Sequence, residues 1–112
     1  LKTEDARQVL RRNISLQDAI TQWGNIAGMV AGLMKPDYAL IGRSLKDVIA
    51  EPIRSMLIPG FHEVHRAALE AGALGCGISG SGPTIFALST SYPVAVEVGA
   101  AMRSQFTKFT LE

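Results

Sequence analysis

The stretch most able to do chemistry is Gly75-Cys76-Gly77-Ile78-Ser79-Gly80-Ser81-Gly82-Pro83-Thr84. Its glycine spacing matches the dinucleotide pattern G-x-G-x-x-G, but that pattern must open a helix whose N-terminus receives a pyrophosphate. Here Pro83 and the β-prone run Thr84-Ile85-Phe86 lead into a strand instead. A Walker-type phosphate loop is excluded, because none of the four lysines follows a glycine. A nucleophile elbow G-x-S-x-G fails as well, since Ser81 stands where a second glycine would be needed after Ser79. Two readings remain for residues 77–84. One is a tight hairpin loop in which glycine supplies positive φ. The other is a backbone cradle, with bare amides and serine hydroxyls suited to an anion or to close packing on a phosphate loop. Three glycines and two serines in six residues exceed what a hairpin requires, which favours the cradle.

The other reactive side chains carry less. His62 and His65 share one side of a predicted helix without a neighbouring ligand cluster, so no metal site is expected. Cys76 is the single cysteine; it excludes an internal disulfide and reads as a small buried hydrophobe. Trp23 with Met29 and Met34 reads as core, and Arg11-Arg12 as a solvated turn. Glu51 can pair with Arg54 one helical turn on.

The elements that must position these residues follow from apolar spacing. Thr3 can cap a short helix over Glu4 to Leu10, with Glu4 and Asp5 in its first turn. Ser15 opens a longer helix, in which Leu16, Ile20, Trp23, Ala27, Val30 and Met34 share one face. Gly24, Gly28 and Gly32 share another, which predicts burial on two sides before Lys35-Pro36-Asp37 ends the helix. Ser44-Leu45-Lys46-Asp47 resembles a capping box opening a helix, and Pro52 kinks or restarts it from its first turn. After the turn at Pro59-Gly60, a helix over Phe61 to Ala71 turns Phe61, Val64, Ala68 and Leu69 inward and stops at Gly72. Two strands follow, Ala73 to Ile78 and Thr84 to Leu88, then a last helix with Val94, Val98, Ala101, Met102 and Phe106 inward, and a strand beginning at 108.

The order of helices, hairpin, helix and incipient strand predicts an α+β layer, with helices covering one face of an antiparallel sheet. A lone hairpin is marginal in water, so further strands are expected before Leu1 and after Glu112. The chain starts without Met and stops at Phe109-Thr110-Leu111-Glu112, where an alternation has just begun. It therefore reads as an excised fragment, with Leu111-Glu112 either native or left by cloning. At 112 residues with 47% hydrophobic and 19% charged residues, it is one domain's worth of chain, neither disordered nor a coiled coil. A net charge of +1 with scattered basic residues gives nucleic acid no footprint. No apolar run reaches the roughly 20 residues of a membrane span, and the charged start is no signal peptide.

Gly77-Ile78-Ser79-Gly80-Ser81-Gly82-Pro83-Thr84-Ile85-Phe86-Ala87-Leu88 resembles the third motif of the GHMP small-molecule kinases, in the form found in homoserine kinases. Asp47 to Arg54, followed by Leu57-Ile58-Pro59-Gly60-Phe61, is similar to the stretch that precedes it there, and Thr3 to Leu10 resembles the T-x-x-A-R-x-x-L segment opening their C-terminal half. The resemblance implies that residues 1–112 are the substrate-side, C-terminal domain of a larger two-domain enzyme, a ferredoxin-like layer with its outer strands truncated. It implies transfer of the γ-phosphoryl of ATP, with Mg2+, to the hydroxyl of L-homoserine in cytoplasmic threonine biosynthesis. The nucleotide loop of such enzymes lies in an N-terminal domain with no counterpart in these residues, so the chain alone is expected to be inactive and to bind no cofactor.

Homoserine's carboxylate calls for guanidinium groups, and the resemblance places them at Arg7 and Arg54, with Thr3 as a hydroxyl partner. Ser79, Gly80, Ser81 and Gly82 are then expected to pack beside the nucleotide loop, positioning rather than reacting, with no catalytic residue in the chain. The competing expectations are another GHMP kinase, or a non-catalytic small-molecule binding module on the same layer. Unpaired sheet edges make a homodimer possible.

Overall fold

The computed structural model describes residues 3–109, with only the backbone of Thr3. The Thr3 cap and the alternation at residues 110–112 lie outside the described residues.

Helix α1 spans Thr3–Gln8, ending two residues before the expected Leu10. Helix α2, Leu16–Met34, is capped by Ser15, whose hydroxyl accepts the amide of Asp18. A helix that the apolar pattern did not reveal follows: α3, Tyr38–Ser44, capped by Asp37 through the amide of Leu40. Its existence corrects the expected capping box. Ser44 ends α3, and its buried side chain packs into the space left by Gly28. The turn leading to the next helix is held by Asp47, whose carboxylate accepts the amides of Ile49 and Ala50 at 2.9 Å each. Helix α4 restarts at Glu51–Arg54, with Pro52 in its first turn as expected, and runs into a 3-10 turn over Ser55–Leu57. Helix α5 is Phe61–Glu70.

Strands β1, Gly75–Ile78, and β2, Ile85–Leu88, pair antiparallel from Gly75 opposite Leu88 to Ile78 opposite Ile85. Ser91 caps the final helix α6, Tyr92–Phe106, which has Pro93 in its first turn. The strand expected from 108 does not begin there. The amides of Lys108 and Phe109 reach back to the carbonyls of Gln105 and Phe106, so the chain is still turning off the helix.

Ala68 of α5, Cys76 of β1 and Val98 of α6 meet at the centre, flanked by Ile85, Ala87, Val94 and Met102. Helices α5 and α6 thus pair with each other on one face of the hairpin, the predicted α+β layer. Leu69 is the exception to the expected inner face, since it is 43% exposed. On the other flank, α3 meets the β1 end: Leu45 fills the space beside Gly75, and Gly42 approaches the carbonyl of Leu74. Helix α2 then rests on α3. The backbone measures 39 × 38 × 18 Å, about two layers thick, so α2 and α3 widen the slab instead of adding a third layer.

Double burial of α2 is not observed. Gly28 and Gly32 admit Ser44 and Ile41 closely, but a side chain at Gly24 would meet nothing within 4 Å. Trp23 is 62% and Met34 81% exposed, so neither belongs to the core of the described residues. The physical reason is that α3 packs on the glycine side of α2, at Gly28 and Gly32, and no described element lies against the opposite side.

Candidate functional site

Arg54, at the end of α4, ties three separate sequence segments together. Its Nε donates to the carbonyl of Ala6 in α1 at 3.2 Å, and its Nη1 to the carbonyl of Gly80 in the hairpin loop at a longer 3.4 Å. Ala6 is fully buried beneath it, which fixes where the next residue, Arg7, leaves the surface. The expected Glu51–Arg54 pair does not form; the guanidinium is drawn to the two carbonyls. A rigid fork of donors suits this bridge, because two acceptors on different elements are held at a set separation.

The loop itself is built around Gly80 and Gly82, whose φ values of 62° and 85° lie in the left-handed region open to glycine. The amide of Ser79 donates to the carbonyl of Thr84, extending the ladder, and the amide of Gly82 donates to the carbonyl of Ser79. Two of the amides that a backbone cradle would offer are therefore spent within the loop. Ser79 and Gly80 are exposed at its tip, and Ser81 and Gly82 are half-buried. Arg7 is exposed and lines an open groove with Glu4, Gln8, Leu10, Arg11 and Arg12, a surface dominated by guanidinium groups. The structure brings the segments of Arg7, Arg54 and the loop into one corner.

Beside that corner lies a cavity of about 180 Å³, bounded by Gln22, Asn25, Ile26 and Met29 of α2, by the 44–51 segment, and by Cys76, Gly77, Ile78 and Phe86. Two of its polar residues were not singled out from sequence. Gln22 accepts the amide of Val48 at 3.0 Å and Asn25 donates to the carbonyl of Lys46 at 3.1 Å, so α2 is stitched to the segment that delivers Arg54. Their signal was present: two amides on a helix whose remaining polar residues are few. Glu51 is a third polar group on the wall, free of its expected partner. Its carboxylate lies 3.5 Å from where a Gly77 side chain would begin, and burial, then the nearby Asp47 charge, raise its pKa above the ordinary 4.5. Burial, with Glu51 adding to it, pushes the Cys76 thiol up to about 11, so it is a neutral packing group.

His65 is half-buried, with its pKa lowered by burial and by His62 and Lys46; both imidazoles pack against the ring of Phe61. Among the described residues no three His, Cys, Asp or Glu side chains converge as metal ligands.

Residues 29–108 match the family described as GHMP kinases C terminal. The chain belongs to that family. Among similar proteins, the homoserine kinase of Chlorobaculum tepidum is 58% identical over 106 residues, covering 95% of this chain and 33% of that protein. The homoserine kinase of Chlorobium phaeovibrioides is 59% identical over 106 residues, again 95% of this chain and 33% of its own. The crystal structure of homoserine kinase from Cytophaga hutchinsonii superposes with a TM-score of 0.94 at 57% identity, over 96% of this chain and 34% of that one. The GHMP kinase domain seen here thus spans about a third of the length of these relatives.

Proposed function

We propose that these residues are the substrate-side domain of a homoserine kinase, which moves the γ-phosphoryl of ATP to the hydroxyl of L-homoserine in cytoplasmic threonine biosynthesis. The observation that carries this is the convergence at Arg54 of α1, α4 and the serine-glycine loop, in a chain 58% identical to proteins named homoserine kinase. Bound ATP, with Mg2+, supplies the phosphoryl group from a nucleotide loop in a preceding domain. The chain's own part is to hold the acceptor. Arg7 and Arg54 grip the carboxylate of homoserine, Arg54 with the donors left over from its two backbone bonds, and Thr3 adds a hydroxyl. Ser79, Gly80, Ser81 and Gly82 press beside the nucleotide loop and close the corner. The hydroxyls of Ser79 and Ser81 are not nucleophiles, because phosphoryl transfer needs alignment and charge stabilisation more than a covalent intermediate.

A coupled ADP-release assay on the intact polypeptide tests the substrate, with L-homoserine against mevalonate and a sugar. Turnover confined to homoserine is expected; turnover of mevalonate or the sugar instead would make this another GHMP kinase. Titration calorimetry on the 112-residue chain is expected to detect weak or no Mg-ATP binding, and tight binding would contradict the division of labour between domains.

A further inference from the structure

Arg54 owes its place to a segment with no regular structure of its own. Residues 45–50 form neither helix nor strand, yet they lead directly into α4, whose last residue is Arg54. The link is short. The carbonyl of Ala50 accepts the amides of Ile53 at 3.2 Å and of Arg54 at 2.9 Å, so a shift at Ala50 reaches Arg54 within one helical turn. The Asp47 carboxylate ties Ile49 and Ala50 to its own turn, which fixes the shape of the segment but not its place on the protein. At its upstream end Leu45 rests beside Gly75. From there to α4, the ties come from α2: Gln22 Oε1 accepts the amide of Val48 at 3.0 Å, and Asn25 Nδ2 donates to the carbonyl of Lys46 at 3.1 Å.

We propose that Gln22 and Asn25 are positioning residues for the acceptor end of the site: through residues 46–50 they set the reach of the Arg54 guanidinium toward the carboxylate of homoserine. The inference rests on the substrate reading above and deepens it. Three observations carry it. First, the two amides stand three residues apart on one face of α2, and they grip backbone groups of opposite kind. A pair that holds both an N–H and a C=O, two residues apart, resists sliding and rotation of the segment together. Second, close packing does not do this work. The segment borders the 180 Å³ cavity on one side, and Val48, Ile49 and Ile53 line a second cleft of about 310 Å³ on another. With open space on two sides, the polar ties decide where the backbone lies. Third, the far end has no slack. The Arg54 bond to the Gly80 carbonyl is 3.4 Å long, near the limit of a hydrogen bond, so a sub-ångström retreat of α4 releases it. Misplacement on that scale is what costs an enzyme the alignment of its substrate.

Steady-state kinetics of the intact polypeptide test this, with circular dichroism confirming that each variant folds. Gln22→Met keeps the volume and loses the acceptor; it should raise the KM for homoserine about 3–10-fold, the worth of one hydrogen bond, and leave the KM for ATP where it was. Asn25→Asp keeps the shape and loses the donor, should act the same way, and carries the test alone if Gln22→Met does not fold. Gln22→Glu retains an oxygen for the Val48 amide and should recover most of the loss. The deciding measurement is a double-mutant cycle. In the Arg54→Ala background each substitution should change the homoserine KM by less than about twofold, because the group it positions is gone. A residue that only stabilised the fold would lower the melting temperature and act by the same factor with or without Arg54. Equal factors in the two backgrounds, an unchanged homoserine KM in either folded variant, or an equal rise in the KM for ATP would overturn the proposal and leave homoserine as the substrate. A wild type that does not turn over homoserine would instead remove the substrate reading, and this proposal with it.

Discussion

The two halves of the slab solve the packing problem in opposite ways. Helices α5 and α6 close over the hairpin with small and medium side chains, and Val64, Ala68, Cys76 and Val98 are almost wholly removed from water. Helices α2 and α3 meet through glycines on one side and leave the large apolar residues of α2 facing outward. The first half is a finished core; the second leaves an apolar face uncovered among the described residues. Between them sits Arg54, whose bonds run to the backbone of α1 and of the hairpin loop. The site therefore hangs on the finished half, and the unfinished half frames the cavity beside it.

The sharpest way to break this contrast is to remove one large ring from each half. Phe61 is 3% exposed and packs edge-on to His62, with ring centroids 5.4 Å apart. Phe61→Ala is expected to cost about 3–5 kcal/mol in urea unfolding, through lost burial and the cavity left behind. Trp23→Ala in the 112-residue chain should stay within about 0.5 kcal/mol, because most of the indole is already in water. A larger loss at Trp23 than at Phe61 would reverse the assignment of core and uncovered face.

The corner that joins the halves is probed by kinetics. Arg54→Ala in the intact enzyme should raise the KM for homoserine by about 10–100-fold, or 1.4–2.8 kcal/mol. Arg54→Lys should recover little, because one ammonium cannot bridge the Ala6 and Gly80 carbonyls and still grip a carboxylate. Unchanged homoserine kinetics in Arg54→Ala would remove it from the site. A fall in kcat with no change in KM would make it a positioning residue for the loop.

Much of the finished half was legible from residues alone. Gly72, the Gly77–Pro83 loop and Ser91 punctuate the hairpin and the last helix, and local turn and cap chemistry is what short elements obey. The other half misled because its cues are ambiguous one at a time. Ser44 followed three residues later by Asp47 looks like a helix start, yet Asp37 had already begun α3, and Ser44 is held inside by Gly28. A heptad-spaced stripe says that a face will be covered but not by what; among the described residues the answer is nothing. The bridging role of Arg54 was out of reach for another reason. Its acceptors are backbone carbonyls 48 and 26 residues away, and carbonyls leave no mark in a sequence.

The glycines of α2 sharpen the comparison with a change of sign. In the 112-residue chain, Gly32→Ala should destabilise by about 1–3 kcal/mol, because the new methyl would meet Ile41 within 2.8 Å of its side chain. Gly24→Ala should stabilise by about 0.5–1 kcal/mol, since it gains helix propensity and meets nothing. The same loss at both positions would mean that both sides of α2 are already covered within one copy.

Glu51 gives the smallest effect and the most specific one, since it stands where the two halves meet. Burial disfavours its charged form and the Asp47 carboxylate disfavours it further, so its pKa lies above 4.5 in the folded chain. The folded state then holds this proton more tightly than the unfolded chain does. Its contribution to stability is full below the unfolded value and is lost as the pH rises through the folded one. Glu51→Gln cannot ionise and escapes that loss. The variant should match the wild type near pH 4 and be more stable than it at pH 7, in paired thermal melts, with a modest difference because Glu51 is only half-buried. If the variant is instead less stable at pH 7, the carboxylate must be engaged there by a cation or a donor from another part of the intact protein. The cavity between α2 and the hairpin would then be an occupied polar contact of the intact protein, and Glu51 would belong to the uncovered side of the comparison.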